Sequence, residues 1–350
     1  MRLAQVMAGA PMGGAESFYE RLCCALHAAG EEVLPLIRAN PARAARIAVR
    51  GPAPVQLRFG QRWLDLPTHF QLRRHLRAFR PQVVVAWMNR AAGFTPRGPW
   101  ALVGRLGGYY DLRHYRHCDH LVGNTRGLCR WMVEQGWPEA RVHHLPNFAD
   151  DMFGVLPAEL PAGLNLPDGA PRLLALGRLH ANKAFDTLLR ALPLVPGAVL
   201  LLAGEGPERA ALTRLAAELG VAERVRFLGW RQDTAALLAA CDVMVCPSRH
   251  EPLGNVVLEG WSAARPVVAA DAAGPAELIR HGETGLLVPR DAPEALGRAL
   301  AELLAAPERR AALAAAGRAA YEASFSEAAV VAQWRDFMRQ VAPGTTSGGG

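Results

Sequence analysis

The stretch DVMVCPSRHEPLGNVVLEGW, residues 242–261, holds three structural statements in one line. DVMVCP (242–247) is a short, unbroken apolar run, the pattern of a strand covered on both faces. Pro252 and Gly254 then shape a tight turn, in which glycine lets backbone approach a ligand closely. Beyond it Val256, Val257, Leu258 and Trp261 read as the buried side of a helix. Strand, turn and helix in that order form the repeating unit of a parallel sheet.

The same unit recurs on both sides. RLLALG (172–177), AVLLLAG (198–204), RVRFLG (224–229), RPVVAA (265–270) and GLLVP (285–289) are further strand candidates. In the first half RLAQVMA (2–8) leads through a glycine turn and helix, GGAESFYERLCCALHAAG (13–30), to EEVLPLI (31–37). QVVVAW (82–87), HLVGN (120–124) and RVHHLP (141–146) follow. The expected architecture is α/β, with two Rossmann-like parallel-sheet domains facing each other across a cleft. The proline-rich stretch 147–171 carries no basic residue and reads as the connection. The domains are therefore expected at 1–150 and 172–325, with a linker at 151–171. A helix at 326–342 is a candidate to cross back to the first domain, and 343–350 reads as a flexible tail.

A chain of 350 residues suits two domains of ordinary size, and half its residues are hydrophobic. No apolar run approaches the roughly 18 residues that span a bilayer. The N-terminus reads as a buried strand rather than a signal peptide, which suggests the cytoplasm. The six cysteines show no zinc spacing and read as small core residues. Charge is uneven: residues 1–150 hold 20 arginines against 10 acids, a balance of +10, while 171–350 balance to zero. Attraction to an anionic partner should therefore act on the first half. No motif of nucleic-acid recognition accompanies that charge.

Cations are almost all arginine: 38 Arg stand against one lysine, Lys183. It lies in GRLHANK (177–183), directly after a strand candidate, with a helix expected from about Asn182. Arg178 and Lys183 can meet above the sheet edge, where a helix N-terminus also favours anions. Arginine supplies a planar fork and lysine a compact movable charge, so a pyrophosphate can use both. The alternative is a solvated loop. Glu251 stands in the second turn and Glu259 about one turn into the helix, so one carboxylate can meet hydroxyls at the mouth and the other deeper in. Helix-dipole stabilisation is the plainer reading, and it fits Glu259 poorly among apolar neighbours. A third turn, Met12-Gly13-Gly14-Ala15-Glu16, offers glycine backbone to a phosphate or sugar, although many such turns carry glycine for packing alone.

R-x4-K after a strand, E-P-x-G-x4-E (251–259) and G-x-x-G-L-L-V-P (282–289) together resemble the GT-B retaining glycosyltransferases often called family 4. LGNVVLEGW and the following GPAEL look most like the bacterial enzymes that build lipopolysaccharide and other surface polysaccharides. The resemblance implies a sugar moved from a nucleotide-diphosphate sugar to an acceptor hydroxyl, an anionic glycolipid or oligosaccharide. It implies no cofactor and no metal, and no Asp-x-Asp is present to hold a divalent ion. By the same resemblance Arg178 and Lys183 grip the diphosphate, Glu251 the donor sugar and Glu259 the ribose. Amides of Gly254, Asn255 and Val256 serve phosphate or sugar, and Gly13 and Gly14 support the site.

One departure stands out. Many relatives carry a histidine at the end of a first-domain strand, where this chain reads VGRLGGYYDLRHYRHCDH (103–120). Arg105 and Asp111 are candidates for that role, against ordinary loop roles. His114, His117 and His120 invite a metal reading that no cysteine or carboxylate supports. Asn147 reads as hinge-shaping. The basic stretch 58–81 could present a cationic, partly apolar face to the inner membrane, or be a helix packed on its sheet with arginines in water. Rival functions are a nucleotide-sugar 2-epimerase of the same fold and a non-catalytic sugar-nucleotide binder. A nicotinamide dehydrogenase fits less well, because Arg209 replaces the third glycine of G-x-G-x-x-G.

Overall fold

The computed structural model describes residues 1–10, 13–61, 64–157, 167 and 169–344. Met12 of the glycine turn, residues 62–63 of the basic stretch, 158–166 and 168 of the expected linker, and 345–350 of the tail lie outside them. The chain divides into two compact units, Met1–Asn147 with Glu327–Gly350, and Phe148–Ser326.

The first unit holds a seven-stranded sheet of β1 (Arg2–Met7), β2 (Glu32–Arg38), β3 (Val55–Leu57), β4 (Val83–Trp87), β5 (Ala101–Leu106), β6 (His120–Gly123) and β7 (Val142–His144). The spatial order is β3-β2-β1-β4-β5-β6-β7, and every pairing is parallel. All five residues of β4 are buried, which is why it reads as an uninterrupted apolar run. The helix Glu327–Val341 belongs to this unit. Its Trp334 is fully buried and stacks on Trp87, ring centroids 6.5 Å apart. Its Arg335 bonds Glu31 at 2.7 Å, and the amino terminus of Met1 takes the other oxygen of that carboxylate.

The second unit holds β8 (Arg172–Leu176), β9 (Val199–Ala203), β10 (Val225–Gly229), β11 (Val243–Cys246), β12 (Val267–Ala270) and β13 (Leu286–Val288). Their order, β10-β9-β8-β11-β12-β13, is again wholly parallel. Val243 and Val245 join the core on one face of this sheet, while Met244 and Cys246 join the core on the other. Alternate residues thus go to opposite layers and both are apolar. Each sheet reverses its building direction once, at β1/β4 and at β8/β11. In open parallel sheets ligands bind beyond the carboxyl ends of the strands at such a reversal.

Candidate active site

The two turns singled out from the sequence leave the carboxyl ends of β8 and β11, the strands that flank the reversal in the second unit. The first does not pass straight into a helix at Asn182 as expected. Ala181–Lys183 forms one 3-10 turn, Ala184 takes a left-handed conformation (φ 52°), and the helix runs from Phe185 to Ala191. Lys183 therefore sits before the helix rather than inside it. Its Nζ lies 2.5 Å from Glu251 Oε2, with both side chains largely covered. Arg178, exposed beyond β8, makes no hydrogen bond to either group among the described residues.

Backbone joins the two turns. The carbonyl of Asn182 accepts from the amides of Arg249, at 2.9 Å, and His250, at 3.2 Å. Arg249 then reaches back across the same gap. Its guanidinium bonds both oxygens of Asp186, at 2.9 and 2.8 Å, and the Ala181 carbonyl at 2.8 Å. It also meets Asp291 at 2.5 Å. Burial acts to raise the pKa of Asp186, but the bonds from Arg249 outweigh it and hold the carboxyl below its usual range. Sequence reading passed over Arg249, because an arginine beside a motif carries no mark of what it will bond.

A third support comes from Gly204-Glu205-Gly206, after β9. Leu179 N–H donates to Glu205 O, and Glu208 N–H to Leu179 O. A Cβ on Gly204 would lie 1.8 Å from the Gly177 carbonyl oxygen, and one on Gly206 2.3 Å from that of Leu179. These glycines let one turn lie directly on the backbone around Arg178. The G-x-G pattern is thus packing for the neighbouring turn.

Gly254 (φ 70°) caps the helix Asn255–Ser262. The amides of Asn255 and Val256 open its first turn, where a helix leaves donors without internal partners. Gly274 N–H donates to the Glu251 carbonyl at 2.7 Å, and its missing Cβ makes room for Leu253 and Gly254. Glu259 is half-buried on that helix, beside buried Val257, Leu258 and Trp261. Val256, expected buried, is only partly so.

In the first unit, Gly13 precedes the helix Gly14–Ala28. Buried Glu16 folds back over this turn, accepting from Ala10 N–H at 2.7 Å, and a Cβ on Gly13 would strike its carboxylate at 2.3 Å. Packing of Glu16 is therefore one requirement that Gly13 meets, whereas a Cβ on Gly14 would meet nothing within 4 Å. Arg105 is 1% exposed, lies over the Trp87 ring at 4.6 Å and donates to Asn147 Oδ1 at 2.6 Å. Burial pushes its guanidinium down to about 10. It is a buried tie within the first unit. Asp111 is exposed and bonded to Arg113, which holds its carboxyl down at about 2. The three histidines diverge: His117 bonds the Thr95 carbonyl, His120 pairs with His143 at 3.1 Å, and His114 faces a cavity. Among the described residues no cluster of three or more His, Cys, Asp or Glu is arranged to hold a metal ion.

Comparison with known proteins bears on the family and the fold. Residues 170–306 match the family described as Glycosyl transferases group 1, and residues 12–152 the family described as Glycosyltransferase Family 4. The lipopolysaccharide core biosynthesis glycosyltransferase LpsE of Rhizobium meliloti is 37% identical over 324 residues, 91% of this chain and 93% of that protein. A glycosyltransferase from Rickettsia africae superposes with a TM-score of 0.84 at 16% identity, over 98% of this chain and 99% of that one. Anabaena Alr3699/HepE in complex with UDP superposes with a TM-score of 0.82 at 20% identity, over 97% and 100%. At such identities the two structures speak for the fold, whereas the family matches and the Rhizobium relative speak for descent. The chain belongs to glycosyltransferase family 4 and carries the two parallel-sheet α/β domains of the GT-B fold.

Proposed function

We propose that this glycosyltransferase moves a hexosyl unit from a nucleotide-diphosphate sugar to an acceptor hydroxyl, with retention at the anomeric carbon and without a metal ion. We place it in the building of lipopolysaccharide or another surface polysaccharide, the role named for its Rhizobium relative. The observation that carries this reading is the meeting of Lys183 and Glu251 beyond the sheet edge where β8 and β11 adjoin. A cation for the diphosphate and a carboxylate for sugar hydroxyls stand side by side there.

In the reaction the acceptor oxygen bonds to the anomeric carbon on the face from which the diphosphate leaves. The bond from that carbon to the phosphate oxygen breaks, and the departing oxygen takes the acceptor proton. Charge builds on the diphosphate, where Lys183 and Arg178 stabilise it. The open amides of Asn255 and Val256, at a helix N-terminus beyond Gly254, favour the same anion. Glu251 orients the sugar and Glu259 accepts from ribose hydroxyls.

The acceptor is an anionic glycolipid or oligosaccharide, met at the cytoplasmic face of the inner membrane. No described helix is long and apolar enough to cross a membrane. The helix Leu66–Phe79 buries Thr68, Leu72 and Leu76 but leaves Leu66 and Phe70, 72% and 69% exposed, beside exposed Arg73, Arg74 and Arg77. That combination suits a peripheral contact with anionic lipid.

The test is to incubate the full chain with UDP-, GDP- and ADP-sugars and truncated core oligosaccharides in EDTA, and to assign the anomeric configuration of the product by NMR. A retained linkage formed in EDTA is expected. An inverted linkage, a metal requirement or release of a 2-epimer would each overturn a named part of the reading.

A further inference from the structure

With 38 arginines and one lysine in the chain, Lys183 Nζ is its only side-chain amine. A guanidinium keeps its proton and is no nucleophile, whereas an amine that gives one up attacks electrophilic carbon. Amine chemistry on this sequence therefore has two targets, Lys183 and the α-amine of Met1. The latter lies before β1 in the first unit and is bonded to Glu31.

Lys183 is not held like a surface lysine. Its stem lies along Gly177, directly after β8: a Cβ on that glycine would stand 3.3 Å from Cε and 3.8 Å from Nζ. The side chain is 25% exposed, so a small reagent can reach the amine. Glu251 Oε2, 2.5 Å from Nζ, is placed to take a proton from it. Arg178, exposed beyond the same strand, has no ion-pair partner among the described residues and is open to an anion. The Cys246 thiol feels both charges of the pair, but it is 2% exposed and burial pushes it up to about 11, so it does not compete as a nucleophile.

We propose that Lys183 is a modification site for acyl phosphates, which acylate its Nζ and so switch the donor site off. The inference rests on the reading of Lys183 and Arg178 as diphosphate ligands: a phosphate bound there brings its own acyl carbon beside Nζ. Glu251 takes one proton from the ammonium. The nitrogen lone pair then bonds to the acyl carbon, and the bond from that carbon to the phosphate oxygen breaks. Phosphate leaves with the electron pair and a second proton from nitrogen, while Glu251 passes the first to water. The products are an amide on Lys183, inorganic phosphate and one proton. The amide is uncharged, so it neither stabilises a departing diphosphate nor balances Glu251.

The test is to incubate the full chain with acetyl phosphate or with the uncharged acyl donor N-acetoxysuccinimide, each with and without UDP or GDP. Hydroxylamine then removes acyl groups from thiols and imidazoles but spares amides, and tandem mass spectrometry locates the label. The ratio of Lys183 to Met1 labelling should be at least about tenfold higher with acetyl phosphate, the scale on which a cationic cleft concentrates an anion. Glu251→Gln, with its melting temperature checked, should slow labelling of Lys183 by acetyl phosphate and leave Met1 labelling unchanged. Turnover of the labelled wild type should fall by about 10²–10³, in step with the fraction of Lys183 acetylated. Label confined to Met1, equal ratios for the two reagents, full turnover of the labelled protein or an unaffected Glu251→Gln would each overturn the inference. Protection by UDP or GDP is expected. If either nucleotide binds and Lys183 stays unlabelled, the modification site fails and the diphosphate reading stands. If Lys183 is labelled selectively and neither nucleotide protects it, the diphosphate reading fails and the modification site stands.

Discussion

Lys183 Nζ lies 2.5 Å from Glu251 Oε2, across 68 residues of chain, so the cation and the carboxylate of the candidate site form an ion pair. The Glu251 side chain is 10% exposed and that of Lys183 25%. Each is too covered to depend on water alone, and each holds the other in place.

Replacing Lys183 with alanine removes the point charge and leaves Glu251 unpaired. Turnover should fall by about 10²–10³, the usual cost of one electrostatic donor in a transition state. Lys183→Arg should recover only part of it, since a planar fork cannot follow a leaving phosphate as a compact ammonium does. Initial rates at saturating donor test this, and near-normal turnover in the alanine variant removes the assignment.

Arg249→Ala takes away the side chain that ties the Ala181–Lys183 turn to the loop before Glu251. The network is partly exposed, so a loss of about 1–2 kcal/mol in unfolding free energy is expected. The larger effect should be on donor KM, because the two turns lose their common anchor while Lys183 and Glu251 remain. Urea titration and steady-state kinetics measure the two. A fall in kcat with KM unchanged would assign Arg249 to the chemistry instead.

Gly204→Ala and Gly197→Ala separate close approach from backbone strain. Both glycines have positive φ, 151° and 76°, but a Cβ meets nothing within 4 Å at Gly197 and the Gly177 carbonyl oxygen at 1.8 Å at Gly204. Gly197→Ala should cost about 1 kcal/mol. Gly204→Ala should cost at least about 3 kcal/mol and weaken donor binding, since the backbone around Arg178 must shift. Equal losses in urea unfolding would refute the packing role.

Acid should destabilise the first unit before its carboxylates titrate. Burial, with His120 beside it, pushes His143 down from 6.5 to about 4. Between those values the unfolded chain binds a proton that the folded chain refuses, so stability falls as pH drops through 6.5 towards 4. Carboxylates add their own loss only near and below about pH 5. Unfolding free energies at pH 7.5, 6.5 and 5.5 should therefore decline in the wild type and decline less in His143→Gln. Parallel profiles would show that His143 titrates alike in both states.

The second unit could be read strand by strand because most of its strands are short apolar runs, and β9, β11 and β12 are buried throughout. The first unit hid two strands. β3 is only VQL, three residues at the sheet edge, with its middle residue exposed. β5 carries Arg105 inside a fully buried strand, a charge that strand reading treats as an end. Lys183 and Glu251 were legible as candidates from their types and their places after two strands, and the structure brings them together. Arg249 and the glycines after β9 were not. Their roles exist only once residues far apart in the chain share a sheet edge, and no local spacing records that.

The stacking of Trp334 on Trp87 also sets a timetable. The second unit is threaded into the first as an insertion, so on the ribosome it emerges whole while the first still lacks its closing helix. Until Glu327–Val341 has been made, Trp87 is covered by Phe18, Tyr19 and Arg105 but lacks the Trp334 ring, and a product stopped before Glu327 would leave that side of the aromatic cluster open. Quality control of the first unit is in effect a check on the turns of that helix.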